Sequence, residues 1–365
     1  MAELTLVEAV NRALARALQD DPAVIVLGED VGRDGGVFRA TDGLVERFGA
    51  ARVLDTPVAE AAIAGVAVGM AAYGLRPVAE IQFAGFMYST LDQMVNHASR
   101  LRNRTRGRLS CPMVLRAPFG GGIHAPEHHS ESPEAMFAHI PGLRVVIPSS
   151  PARAYGLLLA AIRDPDPVVF LEPKRSYRAL REEVADDGVA LALDTCFTLR
   201  EGSDLTIVGL SQTVQKAALA AQRLSEQGIS AEVVDPRTLV PLDIDTIVRS
   251  VARTRYLVVV DPAHQTCGAS AEICTRVVEL AFDSLRAAPV RVNTPDIQIP
   301  FAPEMEVPLY PNRARVAETV RKLRQAGASH VVRPYEVVAH MAAEFIGQPV
   351  AFDALYDVVT RAKGV

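Results

Sequence analysis

Residues 53–83 read VLDTPVAEAAIAGVAVGMAAYGLRPVAEIQF, and this stretch decides the fold class. Residues 53–55 form the apolar run of a short buried strand, and Thr56-Pro57 is typical of the start of a helix. Residues 77–82 return as a second strand. A strand, a helix and a strand in close succession predict a βαβ unit with parallel strands.

The same alternation continues on both sides of this unit. Strand patterns occur at 24–27, 113–116, 144–147 and 168–171, and helical patterns at 4–18, 91–102, 133–139 and 151–163. A second series has strands at 205–209, 230–234 and 256–260 and helices at 214–227, 244–251 and 315–323. We therefore predict an α/β protein with two doubly wound domains, 1–190 and 191–325. Helical patterns at 335–345 and 352–362 predict a helical C-terminal extension over 326–365.

Composition narrows the possible partners. The chain has 365 residues, of which 49% are hydrophobic and 22% charged, with a net charge of -5. This balance gives no basic surface for nucleic acid or an anionic membrane. The apolar run 61–75 is shorter than the roughly 20 residues of a membrane span, and residues 1–10 lack the features of a secretory signal. We expect a cytoplasmic protein that binds neither nucleic acid nor membrane.

The ends of the predicted strands hold the first candidate site residues, because ligands of parallel α/β sheets bind at the carboxyl edge. Glu60 follows the strand at 53–55 and lies in the first turn of the next helix. Its negative charge could simply be stabilised by the helix dipole. Alternatively, Glu60 could be a partly buried general acid or base. Residues 80–86, EIQFAGF, are compatible with a core turn or with a surface facing a ligand.

The segment 120–134, GGGIHAPEHHSESPE, is the most polar candidate. Three glycines followed by three histidines and three glutamates predict a loop that a ligand approaches closely. His124 and His128 lie four residues apart, so a metal site is an alternative. Pro126 between them argues against the helix that would align the two side chains.

Taken in order, these motifs resemble one family, the β subunits of thiamine-diphosphate-dependent 2-oxo acid dehydrogenases in the transketolase-like superfamily. The resemblance spans roughly residues 3 to 325. It is carried by the segments 29–32, 36–38, 55–60, 80–86, 92–93, 129–134, 141–143, 146–148, 164–167 and 172–174. The runs 82–84, 129–134 and 172–174 are more similar to the branched-chain type than to the pyruvate type.

The resemblance implies roles for individual residues. Residues 1–190 would be the pyrimidine-binding domain and 191–325 a transketolase C-terminal-like domain. Glu60 matches the glutamate on the aminopyrimidine nitrogen of thiamine diphosphate, Phe86 the aromatic that stacks on that ring, and His129 the active-site histidine. Gln82 lies beside Phe86, and Glu29 matches an acid in the cofactor neighbourhood.

The resemblance also implies metal ions and partners. A structural potassium ion would be held largely by carbonyls at Met113, Ala161, Asp164 and Asp166. No Gly-Asp-Gly occurs in the chain, so the diphosphate and its Mg²⁺ would be bound by a separate α subunit. The assembly expected is a heterotetramer of two α and two β subunits, with a lipoyl acyltransferase as a further partner. The reaction expected is oxidative decarboxylation of a small 2-oxo acid with acyl transfer to lipoyl.

Two departures leave other functions open. Residues 260–270 read VDPAHQTCGAS where the family usually has a glutamate followed by Thr-Gly-Gly, and the chain continues past the usual end at 326–365. The family docks its acyltransferase near that end. Two alternatives are a two-subunit transketolase or acyloin-forming ligase with a non-lipoyl acceptor, and a β-like subunit retained for assembly alone. Retention of Glu60, Phe86 and His129 argues against the last.

Overall fold

The computed structural model describes residues 1–327, which alternate strands and helices as the sequence predicts. The strands within these residues are β1 Ala2–Leu4, β2 Val24–Gly28, β3 Val53–Asp55, β4 Arg76–Glu80, β5 Val114–Phe119, β6 Arg144–Val146, β7 Val168–Pro173, β8 Glu182–Val184, β9 Phe197–Arg200, β10 Leu205–Gly209, β11 Ala231–Asp235, β12 Thr238–Val240, β13 Leu257–His264 and β14 Val290–Thr294. The α-helices within them are α1 Leu6–Asp20, α2 Leu44–Phe48, α3 Glu60–Ala72, α4 Leu101–Arg104, α5 Glu134–Ala138, α6 Pro151–Arg163, α7 Thr213–Ser225, α8 Ile244–Thr254, α9 Ala269–Ala281, α10 Pro303–Glu306 and α11 Arg313–Gly327. None of these described helices is long and apolar enough to cross a bilayer.

The first sheet has seven strands in the order β12-β6-β7-β5-β4-β2-β3. Six of them pair in parallel, and β12 joins β6 antiparallel. Helices α1 and α6 pack on one face, while α3, α5 and residues 84–101 cover the other. Coverage on both faces agrees with the burial of the central strands along their whole length. The predicted doubly wound α/β architecture is confirmed.

The loops that follow five of these strands all lie at one edge of the sheet, as the strand register shows. Gly28 at the end of β2 lies opposite both Asp55 and Glu80. At the end of β5, Phe119 lies opposite Pro173, the last residue of β7. The segments that begin at Glu29, Thr56, Ile81, Gly120 and Lys174 therefore leave the sheet at its carboxyl edge.

The second sheet has five strands in the order β14-β13-β10-β11-β9, with only β9 antiparallel. Helices α7 and α11 cover one face, and α8 and α9 the other. Each face buries alanine, valine, leucine and isoleucine against the strands. This second αβ unit is also doubly wound, as predicted.

One strand from the second half of the chain pairs with the sheet of the first unit. β8 ends before residue 190 and β9 begins after it, yet β12, at residues 238–240, belongs to the first sheet. We keep 1–190 and 191–325 as a proposed division, with β12 reaching back across it. The predicted extension 326–365, with its helical patterns at 335–345 and 352–362, lies outside the described residues from position 328 onward.

Two helix predictions need correction. Helix α3 begins at Glu60 with Ala59 at its N-cap and not at Thr56-Pro57, because the amide of Thr56 donates to the carbonyl of Gly28 and keeps this turn extended. Residues 91–102 were expected to form one helix, but they contain a π-turn over Gln93–His97 and a 3₁₀ turn over Ala98–Arg100. Ser99 Oγ donates to the carbonyl of Val95 there, and such side-chain bonds compete with the regular helical pattern.

Candidate functional site

The carboxyl edge of the first sheet holds all five residues predicted to bind a cofactor or to act in catalysis. Glu29 follows β2, Glu60 begins α3, Gln82 and Phe86 follow β4, and His129 lies in the long loop after β5. Gln82 Nε2 donates to Asp30 Oδ2 at 3.2 Å. The rings of Phe86 and His129 lie 5.6 Å apart between centroids. The edge is therefore one site built from four loops.

Glu60 is a partly buried carboxylate without a fixed partner. The N-cap residue Ala59 offers no side-chain hydrogen bond. No hydrogen bond or ion pair engages the Glu60 side chain among the described residues. Burial raises the pKa of Glu29, and the charges of Asp30 and Glu60 raise it further. Two neighbouring carboxyl groups, one with a raised pKa, are typical of a proton-transfer site.

Phe83, Phe86 and the ring of His129 form an aromatic wall at the same sheet edge. The ring of Phe83 lies 6.0 Å from that of Phe86 and 4.1 Å from that of His129, and both pairs meet edge to face. Gly85 makes this approach possible, since a Cβ at that position would lie only 1.9 Å from the carbonyl oxygen of His128. Phe86 remains partly exposed, so its ring is accessible to a planar ligand.

His129 presents a neutral imidazole to the site. It closes the 3₁₀ turn Glu127–His129, and its backbone amide donates to the carbonyl of Pro126 at 2.9 Å. Burial lowers the pKa of its side chain, as do the charges of His128 and Lys174, while Glu127 acts in the opposite direction. Its Nδ1 is buried and has no hydrogen-bond partner among the described residues. A neutral ring can take up a proton during a reaction.

Lys174 belongs to the site although the sequence did not single it out as a site residue. Its side chain is almost fully buried directly after β7, and Nζ donates to the carbonyl oxygen of His129. Burial lowers its pKa to about 7, against the opposing effect of Glu306 and Glu131. The only sequence signal was its place in the segment 172–174, which the resemblance already included.

A buried ion network lies beneath the edge. Arg116 on β5 donates from Nε and Nη2 to the two carboxylate oxygens of Glu172, at 2.6 and 2.8 Å, and from Nη1 to Glu80. Tyr177 OH also donates to Glu172, at 2.6 Å. All four side chains are buried. Bidentate pairing of this kind fixes geometry, so the network ties the end of β4 to the end of β7.

The glycine-rich loop is held by the second unit. Glu306 of α10 accepts from the amide of Gly122 at 2.6 Å and contacts His124 Nδ1 with its other oxygen at 2.6 Å. A Cβ at Gly121 would lie 1.8 Å from the hydroxyl of Tyr310. The His124 side chain therefore points to Glu306, whereas the ring of His128 lies against His129 at 4.1 Å. The described residues contain no group of three or more potential metal-ligating side chains, so the metal alternative gains no support.

Comparison with known proteins identifies the family. The chain matches the family described as transketolase, pyrimidine binding domain, over residues 2–179, and transketolase, C-terminal domain, over residues 195–316. It is 48% identical to the pyruvate dehydrogenase E1 component subunit beta of Acholeplasma laidlawii, covering 89% of this chain and 99% of that protein. The chain belongs to the family of E1 β subunits of 2-oxo acid dehydrogenases. The resemblance inferred from the motifs is confirmed.

Relatives of both substrate types occur within this E1 β family. The 2-oxoisovalerate dehydrogenase subunit beta of Bacillus subtilis is 44% identical over 89% of this chain and 100% of its own length. A split-gene transketolase solved as an inactive β4 tetramer superposes with a TM-score of 0.72 over 88% of this chain and 98% of its own, at 22% identity. The last comparison shows the shared fold alone.

The four positions expected near a potassium ion lie together at the start of β7. The carbonyl of Met113 accepts from the amide of Val168 at 2.9 Å, and the carbonyl of Ala161 accepts from the amide of Asp164 at 3.3 Å. The carboxylates are already paired, Asp164 with Arg144 at 2.9 Å and Asp166 with Arg102 at 2.7 Å. A cation here would therefore depend on backbone carbonyls and not on carboxylates.

Proposed function

We propose that this chain is the β subunit of a thiamine-diphosphate-dependent dehydrogenase that decarboxylates pyruvate or a branched-chain 2-oxo acid and transfers the acyl group to lipoyl. The observation that carries the proposal is the nearly full-length match to E1 β subunits of both substrate types. The conjunction of Glu60, Phe86 and His129 at one sheet edge supports it, since an assembly-only subunit has no need of these groups.

The residues at this edge fit the aminopyrimidine half of thiamine diphosphate. Glu60 offers a carboxylate with no competing hydrogen bond among the described residues, and Phe86 offers a partly exposed ring face. When bound, thiamine diphosphate supplies a thiazolium carbon that acts as the nucleophile toward the 2-oxo acid. Glu60 would hold a proton between its carboxylate and a ring nitrogen of the pyrimidine. Gln82 and Glu29 would line the same pocket.

His129 would act on the substrate side of the site. Its low pKa leaves the ring uncharged near neutral pH, so the ring can accept a proton from a substrate or donor group and return it later. The wall of Phe83 and Phe86 would exclude water from this exchange. His128, an exposed residue whose ring lies 4.1 Å from that of His129, is not required to carry a proton in this scheme.

An α subunit would complete the site. The chain contains no Gly-Asp-Gly, and the outward side of α3 and its preceding loop exposes Val58 by 70%, Val66 by 51% and Tyr73 by 90%. An exposed apolar strip of this kind marks a protein contact. Because Glu60 begins the same helix, a subunit covering this strip would also close the cofactor site.

The finer details of the assembly follow from the same proposal. The α subunit would bind the diphosphate and Mg²⁺, two α and two β subunits would form a heterotetramer, and a lipoyl acyltransferase would receive the product. A potassium ion would sit at the carbonyls near Met113, Ala161, Asp164 and Asp166. We place the assembly in the cytoplasm.

The direct test compares the purified chain with the chain co-expressed with an α-type subunit that carries Gly-Asp-Gly. The lone chain should bind thiamine diphosphate weakly and release no carbon dioxide from 2-oxo acids, because it lacks the diphosphate half of the site. The complex should do both in the presence of Mg²⁺ and acylate an isolated lipoyl domain. Robust decarboxylation by the lone chain would contradict the proposal, and acyl transfer to a free aldehyde with none to lipoyl would favour the ligase alternative.

A further inference from the structure

We propose that Lys174 is a positioning residue for His129, which fixes the loop backbone at that histidine and keeps its imidazole uncharged until a proton is transferred. This inference rests on the proposed function of the site, because it assigns His129 a part in that reaction. Lys174 itself would touch neither substrate nor cofactor.

The placement of Lys174 is specific. It follows β7 directly, so its backbone is fixed by the parallel pairing of β7 with β5. Its side chain is only 4% exposed, and Nζ donates to the carbonyl oxygen of His129, 45 residues away along the chain. A charge-assisted hydrogen bond to a buried carbonyl is stronger than a neutral one. It therefore orients the residue whose ring faces the site.

Phe83 links the ammonium group to the imidazole. Lys174 Nζ lies 5.5 Å from the centroid of the Phe83 ring, and the His129 ring meets the same phenyl ring at 4.1 Å and 74°. The ammonium and the imidazole thus share one rigid aromatic neighbour. At this distance the charge of Lys174 acts on the partly buried His129 ring and lowers its pKa.

The protonation states of Lys174 and His129 determine the pH range in which the lysine charge acts on the imidazole. Glu306 and Glu131 face Lys174, while His128 and Glu127 face His129. Burial lowers the pKa of Lys174 to about 7. The pKa of His129 is lowered from the ordinary histidine value of about 6.5. Lys174 is therefore still charged over the pH range in which His129 would protonate, and its charge opposes that protonation.

The experiment measures the pKa of the His129 imidazole by NMR in the full-length chain, with the resonance assigned by its loss in His129→Gln. Lys174→Met should raise this pKa by about half a unit to one unit, the size expected for removing a nearby charge. Lys174→Arg should keep it low. Lys322→Met removes a lysine whose side chain is 65% exposed on α11, and should leave it unchanged. Lys174→Gln gives the same comparison if the methionine variant does not fold.

Steady-state kinetics of the assembled complex provide a second measurement. In Lys174→Met, kcat should fall about 10-fold or more with little change in KM for the 2-oxo acid, and the acid limb of the kcat profile should move to higher pH. An unchanged His129 pKa in both the methionine and glutamine variants would overturn the inference. Because the NMR measurement needs no turnover, that outcome is separate from a failure of the proposed dehydrogenase reaction.

Discussion

Glu60 begins α3 as a carboxylate that no described side chain neutralises, beside a second carboxyl group at Glu29. Two acids in one small space repel each other unless one of them holds a proton or a ligand donates to it. The helix itself favours a negative charge in its first turn. These opposing effects leave Glu60 ready to accept a hydrogen bond from a ring nitrogen, which is the role we propose.

Replacing Glu60 with glutamine tests that role. Because the residues that follow it on α3 are small and apolar, the amide should fit and the fold should persist. Turnover of the complex should fall by roughly 10²- to 10⁴-fold, the span usual for losing a positioned proton-transfer group. The pKa of Glu29 should also fall, since a neighbouring negative charge is removed. Glu46→Gln, an exposed first-turn glutamate on α2, is the matched control. Equal activity of the two variants would mean that Glu60 only complements the helix dipole in the first turn of α3.

The long loop between β5 and α5 is held in place by elements distant in sequence. Glu306 at the end of α10 binds Gly122 and His124 through separate carboxylate oxygens, and Tyr310 OH also donates to it at 3.2 Å. Its side chain is fully buried. The same loop is fixed at His129 by Lys174. The loop is therefore held near Gly122 and at His129 by residues that lie outside it.

Glu306→Gln should loosen this loop. A glutamine is uncharged and replaces one acceptor oxygen with an NH₂ group, so the contacts to Gly122 and His124 lose their charge-assisted character, and the loss of a charge-assisted bond typically costs about 1.5–3 kcal/mol. We expect faster amide hydrogen exchange over residues 120–131 and a turnover about 10-fold lower. Glu304→Gln, an exposed neighbour on the same short helix, should change neither quantity. Unaltered exchange in Glu306→Gln would show that α10 does not restrain the loop.

Sequence patterns predicted the helices and strands well where local interactions determine the structure. The strands at 53–55 and 205–209 and the helix at 151–163 have the predicted bounds, because apolar periodicity and capping are local properties. The strand-end rule singled out Glu60 and the segments 80–86 and 120–134, and the resemblance added Glu29 and the individual residues Gln82, Phe86 and His129. The sequence did not predict β12 in the first sheet or the helix break after residue 92, since pairing partners and side-chain competition decide both.

Long-range contacts explain what was missed at the site. Lys174 reaches His129 across 45 positions, and Glu306 reaches His124 across 182. Arg116 and Glu172 form their ion pair across 56. The segments 120–134 and 172–174 marked some of these residues as candidates, but only the folded chain gives each of them its partner. The pairings are therefore set by the packing and cannot be read from the motifs.

At the scale of the whole molecule, two buried carboxyl groups face each other between the two units. Glu134 lies on α5 of the first unit, and Asp261 lies in β13 of the second, where residues 260–270 depart from the family pattern. Asp261 accepts from the amides of Ala263 and Ser270, at 3.0 and 3.2 Å, whereas Glu134 Oε2 has no partner among the described residues. Burial raises the pKa of Glu134 to about 8, and the charge of Asp261 adds to the shift. Burial also raises the pKa of Asp261, so the pair as a whole holds a proton near neutral pH.

This arrangement makes the stability of the chain depend on pH with a defined sign. The pKa of Glu134 is about 8 in the folded chain and about 4.3 for an exposed glutamate. The folded state thus holds the proton more tightly, so the contribution to stability is complete below about pH 4.3 and is lost as the pH rises through about 8. Between pH 6 and 9 the free energy of unfolding should decline by up to about 1.4 kcal/mol per pH unit from this group.

Urea unfolding of the full chain at several pH values measures this decline. Glu134→Gln cannot ionise, so its free energy of unfolding should fall less steeply between pH 6 and 9 than that of the unmodified chain. The other titrating groups are common to both proteins except for Asp261, which titrates together with Glu134, so the difference between the two slopes reports on the Glu134–Asp261 pair. Glu226→Gln, which replaces a solvent-exposed glutamate after α7, should retain the original slope. Identical slopes for Glu134→Gln and the unmodified chain would mean that Glu134 is already charged at neutral pH and that the two units meet across an ionised pair.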